Sequence, residues 1–189
     1  MKFANIVSAL ALGSTLLAQP ALAQQKLDTA RSEVQFTARQ MGVPLDGHFK
    51  KFDAQVAFDP AKLATSKITF TVDTGSATLG SKETDAELPK AVWFNVPKFP
   101  QATFESSAIK ALGGGKFEVA GKLTIKGTAQ NVVVPVALTQ SGPTTTATGT
   151  LPIKRLAFKI GENEWADTSM VADDVTVKFK LALTGVGKL

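Results

Sequence analysis

Val175-Thr176-Val177-Lys178-Phe179-Lys180-Leu181-Ala182-Leu183 is the stretch that decides the fold. Apolar side chains occupy 175, 177, 179, 181 and 183, while Thr176, Lys178 and Lys180 fill the alternate positions. A period of two places each set on its own face of an extended chain, whereas a helix would scatter both around its circumference. The stretch is therefore a β-strand with one face buried and one in water.

The same alternation recurs on both sides of this stretch. Phe117, Val119, Leu123 and Ile125 share one phase, against Lys116, Glu118, Lys122, Thr124 and Lys126 in the other. Eight strands are predicted, near 32–40, 47–58, 67–73, 102–110, 116–126, 131–139, 144–155 and 173–184. Gly113-Gly114-Gly115, Gly127 and Ser141-Gly142-Pro143 supply the turns. Pro135 inside the sixth strand predicts a local edge or bulge, because proline donates nothing to a ladder. Residues 76–94 lack a period of two. There Thr84-Asp85-Ala86-Glu87 reads as a capping box opening a short helical crossing segment. Residues 156–172 read as irregular. Regular short strands with tight turns predict an all-β, eight-stranded antiparallel barrel, a size that either fills itself or holds one small ligand.

The ends and composition bound the rest. Lys2, the apolar run from Ile6 to Leu17 and Ala21-Leu22-Ala23 form a signal-peptide pattern with cleavage after Ala23. Residues 1–23 are thus expected to be a signal peptide and residues 24–189 one barrel domain, exported to the periplasm. The apolar run is too short for a membrane span of about 20 residues. A chain with no Cys has no disulfides and no cysteine ligands for zinc, iron–sulfur or haem sites. A net charge of +5, with lysines on the polar strand faces, reads as a solvated exterior, with transient contact at a membrane surface as the functional alternative. No arginine cluster or aromatic–basic interleaving points to nucleic acid.

Little in the sequence could catalyse. The only histidine, His48, stands between Gly47 and Phe49 without a nucleophile nearby, and no Gly-x-Ser-x-Gly element occurs. No catalytic residue, metal site or catalytic cofactor is expected. Glu162, Glu164, Asp167, Asp173 and Asp174 cluster without calcium-loop spacing. Arg155 reads as an ion-pair partner of Asp173 or Asp174, or as a head-group contact. Trp165, with Trp93, reads as packing near a barrel end, and Arg155 and Trp165 are the two candidates for head-group contact. The candidate lumen lining is Phe36, Phe52, Phe70, Val72, Phe104, Phe117, Leu123, Phe158 and Phe179.

From Trp93 onward the motifs become specific. Phe94-Asn95-Val96-Pro97-Lys98-Phe99-Pro100-Gln101-Ala102-Thr103-Phe104-Glu105-Ser106 resembles the central motif of the YceI-like family. Gly121-Lys122-Leu123-Thr124-Ile125-Lys126-Gly127-Thr128 resembles its hairpin motif, and 153–177, with Arg155, Phe158, Ile160, Gly161 and Asp173-Asp174, its C-terminal one. Gly47-His48-Phe49 and Phe58-Asp59-Pro60 are similar to its early part. The resemblance implies a lipocalin-like barrel that is exported, lacks enzymatic activity and holds a long isoprenoid, an isoprenoid quinone or another amphipathic lipid in its lumen. The chain departs from the commoner pattern at Gln40-Met41, where many members carry His, and at 81–87, which lacks the usual Arg-Asp-x-His-Leu. A different class of function stands beside this one: a non-enzymatic stress or interaction protein whose barrel is plugged by its own side chains.

Overall fold

The computed structural model describes residues 25–189; the expected signal peptide lies outside the described residues. Ten strands form one antiparallel sheet: β1 (Lys26–Gln40), β2 (Val43–Phe49), β3 (Phe52–Ala57), β4 (Lys67–Asp73), β5 (Ala77–Thr78), β6 (Gln101–Gly113), β7 (Lys116–Ile125), β8 (Thr128–Ser141), β9 (Thr144–Lys154) and β10 (Asp174–Thr184). Their order is β3-β4-β6-β7-β8-β9-β10-β1-β2-β5. The fold is the all-β barrel the alternation predicts, with the lipocalin-like form the resemblance implies.

Ten strands replace eight because two strands bend together. The predicted strand 47–58 becomes β2 and β3, broken at Lys50-Lys51, and a 3-10 turn at Thr74–Ser76 separates β4 from β5. The two bends face each other and are stitched by main-chain bonds. Lys50 N donates to Ser76 O (3.2 Å) and Asp73 N to Lys51 O (3.0 Å). The Ser76 hydroxyl accepts from Lys51 N at 3.0 Å. This bent strand closes the barrel: its first half pairs with β1 (Phe36↔Gly47) and its second with β4 (Ala54↔Phe70).

Closure is not ladder all the way round. The register between β1 and β10 shifts between Asp28 and Glu33, and β1 pairs β2 only from Val34 on. Along the resulting seam Gln25 substitutes for a ladder. Its Nε2 donates to Phe58 O (2.6 Å) and its Oε1 accepts from Phe58 N (2.9 Å).

Pro135 behaves as its missing N–H requires. β8 pairs with β7 from Thr128 to Ala137, Pro135 included, yet its pairing with β9 begins only at Val136↔Gly149. The short helix α1 (Lys82–Glu87) starts three residues before the expected capping box, with Ser81 as the N-cap residue. Asp85 does not cap. Its carboxylate instead accepts from the Thr78 hydroxyl and from Leu79 N, tying α1 to β5. The irregular stretch 156–172 holds two 3-10 turns, Arg155–Phe158 and Asn163–Ala166.

Candidate functional site

The inward faces of the strands enclose a cavity of about 380 Å³. The β10 stripe Val175, Val177, Phe179, Leu181 and Leu183 lines it, as do Val119, Leu123 and Ile125 of β7. Inward Phe70, Phe104 and Phe179 are only half-buried, because part of their surface faces this hollow. At one end the wall includes Thr84 and Glu87 of α1, both exposed, so the lumen opens to solvent there beside Gln40 and Leu45. The far end is closed around Phe58, Phe117 and Thr145, the last fully buried. This volume sits within the roughly 300–1,000 Å³ range of small-molecule sites.

Why do large aromatic side chains leave a barrel of this size hollow? Three inward positions are glycines, and each lies under a phenylalanine from the next strand. A Cβ on Gly47 would stand 2.3 Å from Phe36 Cζ, on Gly149 2.3 Å from Phe179 Cζ, and on Gly121 2.5 Å from Phe104 Cζ. Phe36 is the cross-strand partner of Gly47, and Phe179 of Gly149. Each ring therefore lies flat along the wall over the space a side chain would fill, rather than across the lumen. Phe58 and Phe117, packed edge to face with centroids 5.4 Å apart, close the bottom.

Of the residues expected to line the lumen, Phe36, Phe70, Val72, Phe104, Phe117, Leu123 and Phe179 do so. Phe52 does not: although it stands opposite lumen-lining Val72 in the β3–β4 register, it is the first residue of β3 beside the Lys50-Lys51 bend and borders an outer groove along the seam, its ring 5.9 Å from that of Phe70. Phe158 does not either. It lies on the 3-10 turn after β9, 2% exposed, packed with Ile125 and Ile160 beneath the barrel end. Both failures arise where the strand period stops. The sequence reading missed Phe49, Leu88, Trp93 and Phe94, which line the lumen near its mouth. All but Phe49 come from the non-strand segment, where alternation carries no information about direction.

Arg155 corrects both of its expected roles. It is 2% exposed and spends every guanidinium N–H on main-chain carbonyls. Nε donates to Ala172 O (3.0 Å), Nη1 to Ile160 O (2.9 Å) and Gly161 O (3.0 Å), and Nη2 to Trp165 O and Val171 O (both 2.6 Å). Gly161 is required beside it: a Cβ there would meet Nη1 at 2.3 Å, and the residue has a φ of +75°. Burial pulls the guanidinium below its ordinary value, and the Asp173 charge partly offsets this. Asp173 bonds no guanidinium nitrogen; it accepts from Leu156 N (2.9 Å), while Asp174 pairs with Lys154 (2.7 Å). Arg155 thus forms the 159–172 segment into one wall of the mouth and has no donor left for a ligand. Trp165, held by that segment, lines the lumen and packs against Trp93, the two rings tilted by 44° with centroids 5.4 Å apart.

The remaining polar candidates are dispersed. His48 is exposed on the outer face opposite Gln35. Glu162 pairs with buried Lys126 (2.8 Å), and Asp167 accepts from Ser169. Among the described residues no three His, Cys, Asp or Glu side chains are grouped to hold a metal ion.

A single apolar tunnel, solvent-open at one end, inside an antiparallel barrel defines a lipocalin-like class of protein. The YceI-like domain matches residues 25–183, and the chain belongs to that family. A UPF0312 protein of Ectopseudomonas mendocina is 34% identical over 134 residues, covering 69% of this chain and 70% of that one. The crystal structure of BcnA from Burkholderia cenocepacia superposes with a TM-score of 0.80 at 51% identity, over 82% of this chain and 98% of that one. A polyisoprenoid binding domain from Saccharophagus degradans, implicated in plant cell wall breakdown, shares the fold at 14% identity (TM-score 0.69; 85% and 98% covered).

Proposed function

We propose that this protein is a periplasmic carrier that holds a long-chain isoprenoid or similar amphipathic lipid in the barrel lumen, isoprenoid quinones included, and that it performs no catalysis. The observation that carries this is the apolar tunnel, kept open by rings laid over glycines. The same tunnel opposes the alternative of a barrel plugged by its own side chains. The family relation and the polyisoprenoid-binding neighbour of like fold support the ligand class.

An engineered cavity of about 150 Å³ accepts benzene. By that scale a lumen of about 380 Å³ takes roughly fifteen carbons, or three isoprene units. Burial from water is worth about 0.8 kcal/mol per CH2. Transfer from a bilayer is nearly neutral per carbon, because the tail is dry there too. Loading is then governed by lumen shape and the mouth. Beside the mouth, Met41 (69% exposed), Val43 (61%) and Met170 (40%) form an apolar tip, Met41 N donating to Met170 O at 2.8 Å. This tip suits transient contact with a membrane surface during transfer.

Native mass spectrometry of protein isolated from a bacterial periplasm should show a co-purified lipid. A ligand-free spectrum, together with no uptake of prenyl quinones offered in micelles, would overturn the reading.

A further inference from the structure

We propose that the lumen selects cargo by the charge of its polar end, taking an uncharged hydrogen-bonding head such as an alcohol or quinone and disfavouring a phosphate or diphosphate on the same chain. The inference rests on the lipid-carrier reading above and adds the head-group class to it.

A phosphate-terminated chain needs cationic donors at the mouth, and a planar guanidinium is the group best suited to supply them. Among the described residues Arg155 is the only basic side chain lining the lumen, and its five N–H groups are all consumed by carbonyl oxygens. Lys126, buried close by, is spent on Lys159 O (2.6 Å) and Glu162 (2.8 Å). On the rim, Lys90 is paired with Glu87 at 2.5 Å. Glu87 itself lines the lumen, so this ion pair brings no net positive charge to the mouth. Freeing Arg155 for a ligand would strand buried carbonyls in the wall it organises. The group suited to read the head is Gln40, a half-buried residue lining the mouth whose amide carries both a donor and an acceptor. An amide satisfies a hydroxyl or a carbonyl without a net charge to desolvate.

The test compares three fifteen-carbon probes against the full protein by displacement of a fluorescent fatty probe: farnesol, farnesyl monophosphate and the parent hydrocarbon. Farnesol is expected to bind at least about tenfold more tightly than the monophosphate, a difference of about 1.4 kcal/mol. Gln40→Leu should weaken farnesol several-fold relative to the hydrocarbon. Glu87→Lys, at an exposed helical position, should narrow the preference for farnesol over the monophosphate. Monophosphate binding as tight as farnesol in the unmodified protein would overturn the inference, as would a Gln40→Leu variant that weakens farnesol and hydrocarbon alike. Hydrocarbon binding with no preference among heads would refute the selectivity while keeping the carrier. Binding of none of the three would refute the carrier itself.

Discussion

Gly149→Ala tests whether the lumen is held open by rings lying on glycines. The new Cβ would stand 2.3 Å from Phe179 Cζ and 2.7 Å from the Pro135 carbonyl oxygen. Carbon atoms rest about 3.5–4.0 Å apart, so the ring must shift by roughly 1.2–1.7 Å. The carbonyl belongs to a paired strand and cannot yield as far, so the ring moves into the lumen. Overpacking of this kind costs about 1–3 kcal/mol. Gly149 has no positive φ, so replacing it with alanine also restricts the unfolded chain, which offsets about 0.4–1 kcal/mol. A net loss of about 1–2 kcal/mol lowers the melting temperature by about 2–8 °C for a chain of this size. Binding should fall in a length-dependent way: each methylene excluded from the lumen loses about 0.8 kcal/mol from water, about fourfold in Kd. Calorimetry and titrations with ten-, fifteen- and twenty-carbon prenyl alcohols measure both effects. Adding Phe179→Leu should restore much of each, as a coupled pair requires. Unchanged melting and an unchanged length profile in Gly149→Ala would refute the reasoning.

Other expectations follow from the same geometry. Arg155→Lys keeps the charge but cannot serve five carbonyls, so it should cost at least about 3 kcal/mol and speed hydrogen exchange across 159–172. Gln25→Ala removes both bonds that tie the seam to Phe58; a loss of about 1–2 kcal/mol is expected, with faster exchange of the Phe58 amide. Asp85 is held below its ordinary value of 3.8 first by the Thr78 hydroxyl and then by Leu79 N–H. A carboxylate depressed in the folded state stabilises fully above its unfolded value and less as pH falls through the folded one. The α1–β5 tie should therefore hold above about pH 5 and loosen below the ordinary carboxylate value, seen as movement of the Leu79 amide NMR signal. Asp85→Ala should show the loosened signal already at neutral pH.

The strands and their facing were legible because period-two alternation encodes direction. All five in-phase apolar positions of the 175–183 stretch, Val175, Val177, Phe179, Leu181 and Leu183, line the lumen, and Phe36, Phe70, Phe104 and Phe117 follow the same rule. The rule fails at strand ends: beside the Lys50-Lys51 bend, where Phe52 at the start of β3 borders the seam rather than the lumen, and at the 3-10 turn carrying Phe158. The glycine floors were signalled by single glycines inside alternating runs, a pattern that marks close approach by a neighbour, though which ring would cover each required the register. Arg155's partners were hidden for a different reason. All are main-chain carbonyls, which every residue carries, whereas the acidic side chains nearby suggested an ion pair.

Trp93 and Trp165 are the only tryptophans, the chain has no tyrosine, and both indoles border the same opening. Native emission from this protein therefore originates at the doorway alone. Occupancy can be followed optically, without a label, through the colour and quenching of that one indole pair.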